Sequence, residues 1–127
     1  MTVQRVLLVD DDADIRLIAS MSLRRLGGMD VTTAESGPRG CALAEELRPD
    51  VILLDVMMPD MDGERTLELL RENPATRAVP VVFMTAKVMR QEISRWLSLG
   101  VCGVIHKPFD PTTLPRLVRE AVEGERA

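Results

Sequence analysis

Aromatic side chains are almost missing from this chain: its 127 residues include one Trp, two Phe and no Tyr. Nucleic-acid binding by base stacking needs aromatic platforms, so it is disfavoured from the start. Positive excess is missing as well. With 16 Lys and Arg against 20 Asp and Glu, the formal net charge is −4, which leaves no basic footprint for DNA or RNA and no polybasic membrane patch. No apolar run nears the length of a membrane span, and the opening MTVQRVLLVDDD lacks the apolar stretch and small-residue cleavage site of an export signal. These absences predict a cytoplasmic location. The two cysteines, Cys41 and Cys102, stand far apart without a CxxC pairing and read as reduced, partly buried small hydrophobes.

What remains is aliphatic and ordinary in composition. Hydrophobic residues make up 46% and charged residues 28%, which argues for a folded domain rather than disorder. The length suits one domain, residues 1–127, with a core of Leu, Val, Ile, Ala and Met.

Five short aliphatic runs recur along the chain: RVLLV (5–9), MDVTTA (29–34), DVILL (50–54), VPVVFM (79–84) and CGVIH (102–106). Four are apolar nearly throughout, as expected of strands covered on both faces; the second is more polar and suits a sheet edge. Between and after them lie helical patterns at 13–26, 37–48, 64–72, 90–99 and 112–123, punctuated by Gly-Gly, Pro49 and Gly100. Strict β-α alternation predicts an α/β fold, a doubly wound (βα)5 parallel sheet with helices on both faces. In such folds polar sites gather at the carboxyl ends of the strands.

The strand ends here are chemically loaded. The first leads into Asp10, Asp11 and Asp12, the third into Asp55, the fourth into Thr85 and Ala86, and the fifth into His106, Lys107 and Pro108. Carboxylates crowded together raise one another's pKa unless a cation sits among them. Oxygen ligands at an open rim favour a hard ion, and a few carboxylates with retained water suit Mg²⁺ better than Zn²⁺. Asp12 and Asp14 read as helix-capping residues, and Asp60 and Asp62 as turn and cap residues before the third helix.

Four stretches, LLVDDDADIR, ILLDVMMPDMDG, VVFMTA and HKPF, resemble the acid pair, phospho-acceptor, switch hydroxyl and Lys-Pro of bacterial response-regulator receiver domains. Order and spacing agree over essentially the whole chain. The resemblance implies a flavodoxin-like sheet of order 2-1-3-4-5 and a stand-alone phospho-acceptor switch of a two-component system or phosphorelay, with no output domain. It implies that Asp55 takes the phosphoryl group from a phosphohistidine, aided by Lys107, Thr85 and Ala86. Mg²⁺ would be held by Asp11 and Asp55, by the backbone carbonyl of Met57, and by Asp10 through water. The Lys107–Pro108 bond is expected to be cis. The implied partners are a sensor histidine kinase or histidine phosphotransfer protein, and a downstream protein meeting the surface near Trp96 and Val104. The chain would turn over no outside metabolite.

Two departures bear on readout and lifetime. The family's usual aromatic three residues before the lysine is here Val104, so its coupling to the threonine cannot take the common form. Met57 and Lys87, two residues beyond Asp55 and Thr85, occupy positions that influence water's approach to the acyl phosphate; methionine there predicts a long-lived phosphoryl state. Trp96 is either core or part of a partner face. Met58, Met61, Met84 and Met89 are expected near the same rim, filling gaps or making adaptable contacts, and His106 is expected exposed or at an edge. Two rivals are an Mg²⁺-dependent phosphohydrolase with an aspartyl-phosphate intermediate and a receiver-like scaffold that acts without phosphorylation. The first calls for a second acid at the place Met57 holds.

Overall fold

The computed structural model describes residues 3–86 and 89–126. Among these residues five strands and five α-helices alternate: β1 (Arg5–Val9), α1 (Ala13–Met21), β2 (Asp30–Ala34), α2 (Gly37–Leu47), β3 (Val51–Asp55), α3 (Gly63–Glu72), β4 (Val81–Thr85), α4 (Arg90–Ser98), β5 (Gly103–His106) and α5 (Leu114–Arg126). All pairings are parallel and the sheet order is β2-β1-β3-β4-β5. The polar run, β2, lies at one edge as its composition predicted, with β5 at the other.

Successive strand residues point to opposite faces, so an unbroken aliphatic run feeds two cores at once. Val6, Leu8, Leu53, Val82 and Met84 point to one side, where Ala19 and Leu23 of the first helical stretch and Leu114, Val118 and Val122 of α5 cover them. Leu7, Val9, Ile52, Leu54 and Phe83 point to the other, under Leu43 and Ala44 of α2, Leu67 and Leu70 of α3 and Trp96 of α4. Helix starts follow local chemistry: Asp12, Ser36 and Asp62 each accept backbone N–H bonds as N-caps of α1, α2 and α3.

Two boundaries differ from the sequence pattern. The first helix does not run evenly to Leu26; over Ser22–Leu26 it widens into a π-helical segment. Ser22 donates its hydroxyl to the Pro111 carbonyl, and Arg119 donates to the carbonyl of Gly27, which ties this stretch to α5. The last helix starts at Leu114 rather than 112, because the Asp110 carboxylate accepts bonds from the backbone and hydroxyl of Thr112 and holds a turn there.

Candidate functional site

Because all strands run the same way, their carboxyl ends share one rim, and the loops that follow β1, β3, β4 and β5 open there. A cleft of about 230 Å³ is lined by Asp10, Asp11, Asp12, Asp55, Met57, Ala86 and Lys107. One carboxylate oxygen from each of Asp10, Asp11 and Asp55 falls within 4.8 Å of the others. Asp10 and Asp55 are buried, at 0% and 4% exposure, whereas Asp11 is open to solvent.

Asp55 is the last residue of β3, flanked by paired strands on both sides, so the sheet fixes its backbone. Its Oδ1 accepts from the Met57 N–H at 3.3 Å and lies 3.2 Å from the Lys107 ammonium. The same ammonium donates to Asp10 Oδ2 at 2.7 Å, while Asp10 Oδ1 accepts the Asp12 N–H at 2.9 Å. Both oxygens of Asp10 are thus engaged. Lys107 reaches inward from the residue pair Lys107–Pro108, whose peptide bond is cis as expected. Its backbone N–H binds the Thr85 carbonyl at 2.8 Å, joining the ends of β4 and β5. Thr85 is buried, and Ala86 beside it is exposed on the cleft wall.

Three carboxylates against one ammonium leave an excess of negative charge. Burial, and then the charge of Asp10, push the Asp55 carboxyl up to about 6, against the opposing pull of Lys107. Burial works against the Lys107 ammonium, yet its bond to Asp10 and the charges of Asp10 and Asp55 prevail and raise its pKa. An all-oxygen set with uncompensated charge fits a hard divalent cation.

The family model of the response regulator receiver domain matches residues 6–119. The chain belongs to this family. Receiver domains are phospho-acceptor signalling switches, and they bind Mg²⁺ at an acidic cluster of the kind that Asp10, Asp11 and Asp55 form here. This receiver is 40% identical over 116 residues to "Response regulator PleD" of Caulobacter vibrioides, an alignment covering 91% of this chain and 25% of that protein. It is 38% identical over 116 residues to "DNA-binding response regulator MtrA" of Mycobacterium tuberculosis, covering 91% of this chain and 49% of the relative. The chain therefore spans about a quarter to a half of the length of these relatives. Among solved structures, the chemotaxis response regulator CheY4 of Vibrio cholerae superposes with a TM-score of 0.86 at 32% identity, covering 94% of this chain and 99% of that one. Neither the phosphohydrolase nor the phosphorylation-independent scaffold is favoured by these matches.

The residues singled out in the sequence sort clearly. Asp12 caps α1 and Asp62 caps α3, while Asp14 follows in the first turn of α1. Asp60 takes the turn, with a φ of 68°. His106 is exposed at the end of edge strand β5. Met57 is 56% exposed over the cleft, Met89 is exposed, Met58 and Met84 are buried, and Met61 packs against Gly37. Cys41 and Cys102 are each half-buried. Lys87 lies outside the described residues. Of the two readings of Trp96, core or partner face, the structure has the core. Trp96 is 1% exposed, its ring edge-on to Phe83 at 5.6 Å, and its indole N–H donates to Glu64 at 3.3 Å. Val104 packs against the same cluster. One residue escaped the sequence reading: Arg16, whose guanidinium bonds the Asp10 carbonyl at 2.8 Å. Its signal was its place one turn into the helix after the acid run.

Proposed function

We propose that Asp55 is the phospho-acceptor of this receiver and that its donor is the phosphohistidine of a sensor kinase or phosphotransfer protein. An Asp55 carboxylate oxygen attacks phosphorus, an O–P bond forms, the P–N bond breaks, and the imidazole keeps the electron pair. Water later attacks the acyl phosphate, returning the carboxylate and releasing inorganic phosphate. The observation that carries this reading is the Lys107 ammonium 3.2 Å from Asp55 at a strand end crowded with acids.

The acceptor and the incoming group are both anionic, so repulsion is the first obstacle. Lys107, already touching Asp55, offsets developing charge on the phosphoryl oxygens. Asp11 and Asp55 would hold Mg²⁺ directly, with the Met57 carbonyl, and Asp10 would do so through water, since Lys107 and the Asp12 N–H already occupy its oxygens. When bound, the ion supplies charge neutralisation and a template for the transferring group. Thr85 would give its hydroxyl to a phosphoryl oxygen, and Ala86 is small enough to leave that oxygen room. The domain acts on its own acceptor and turns over no outside metabolite; its output passes through altered protein contacts.

Incubation with acetyl phosphate and Mg²⁺, followed by intact mass, tests the assignment. A gain of one phosphoryl group in the wild type and none in Asp55→Asn is expected. Turnover of many phosphates without accumulation, or an adduct that persists in Asp55→Asn, would overturn it.

A further inference from the structure

The Asp10 carbonyl lies beyond the last paired residues of the sheet, where Val9 meets Ala34 on one side and Leu54 on the other. The Asp10 N–H still donates to the Ala34 carbonyl at 3.1 Å, but among the described residues no backbone N–H takes up the Asp10 carbonyl itself. Arg16 reaches back from α1, and its Nη1 donates to that carbonyl at 2.8 Å. The backbone of Arg16 is itself anchored, its N–H donating to the Asp12 carbonyl at 3.0 Å. Meanwhile the Asp12 N–H folds onto Asp10 Oδ1. The turn bearing the acids is thus closed by bonds at Asp10 and Asp12, while the Asp11 side chain between them stays exposed on the cleft.

We propose that Arg16 is a positioning residue: by fixing the Asp10–Asp11 peptide it presents the Asp11 carboxylate to Asp55 and sets how tightly the cleft takes Mg²⁺. This rests on the acid-cleft reading above and extends it to a residue outside the ligand set. The sign of the effect is diagnostic. A guanidinium acting only as a nearby charge repels a cation, so its removal would tighten Mg²⁺ binding. One acting through the backbone does the reverse. Supporting residues of this kind commonly change metal affinity by about 10–100-fold.

The test is calorimetric titration of MgCl₂ into the full chain as wild type, Arg16→Met, Arg16→Lys and Asp11→Asn, with melting in EDTA as a check on folding. Arg16→Met should weaken Mg²⁺ binding about tenfold, and Arg16→Lys, which keeps the charge and a donor, should recover most of it. Binding that is unchanged or tighter in a folded Arg16→Met, with Asp11→Asn still abolishing it, overturns the role of Arg16 alone. Failure of the wild type to bind Mg²⁺ overturns the acid-cleft reading and this one with it.

Discussion

Asp55 bears the electrostatic strain of the acid cluster. Its pKa stands near 6 in the fold against an ordinary 3.8, so between about pH 4 and 6 the native state holds a proton that the unfolded chain releases. Stability from this residue is fully present below about pH 4 and is lost as pH rises through about 6. Without Mg²⁺, Asp55→Asn should therefore be more stable than the wild type at pH 7.5, by on the order of 2 kcal/mol. The difference should vanish near pH 4; urea denaturation at the two pH values in EDTA checks it. Lys107 keeps Asp10 as a partner in this variant, so the ammonium is not stranded. Met57 governs a different quantity. Its thioether hangs over the cleft and cannot orient water, so Met57→Asn should hasten loss of the phosphoryl group about tenfold, a barrier change of about 1.4 kcal/mol. A time course of intact mass measures that directly.

At the scale of elements, α3 is pressed against the strand that bears Asp55. Gly63 donates its N–H to the Val56 carbonyl at 2.9 Å, and a Cβ on it would stand 2.7 Å from the Asp55 carbonyl oxygen. Backbone atoms cannot yield as a side-chain tip does. Gly63→Ala should cost about 1–3 kcal/mol in urea denaturation. The link between α3 and α4 is of another kind. Arg95 pairs with Glu64 at 2.6 Å, but both side chains are substantially exposed, so Glu64→Gln should cost less than about 1 kcal/mol. Trp96, buried behind that pair, should cost about 3–5 kcal/mol when cut to Ala. The strands, helices and caps were legible because periodicity and capping are local properties, and Asp12 and Asp62 were assigned correctly from position alone. Trp96 was not, because whether an aromatic at helical spacing faces a core or a partner depends on what lies across from it, here Phe83. The bond from Arg16 to Asp10 was equally hidden: a side chain curling back to a carbonyl leaves no periodic trace.

For the molecule as a whole, the parallel sheet converts four separated segments into one cleft. Asp10, Asp55, Thr85 and Lys107 span nearly a hundred residues of sequence yet meet at one edge of the fold, which is why the motifs could be read only as a register and not singly. Binding at that edge should hold the fold together. Mg²⁺ at a hundredfold excess over its Kd should add about 2.7 kcal/mol and raise the melting temperature by roughly 10 °C, and Asp11→Asn should abolish the rise. Thermal melts with and without MgCl₂ measure it.

Because the chain has one indole and no tyrosine, its near-ultraviolet emission comes from a single buried ring. That ring touches β4, the strand next to that of Asp55, through Phe83, and α3 through Glu64. Fluorescence from the unlabelled protein thus reports on the path between the rim and α4, and a change in intensity on adding Mg²⁺ or acetyl phosphate would time the switch without any attached dye.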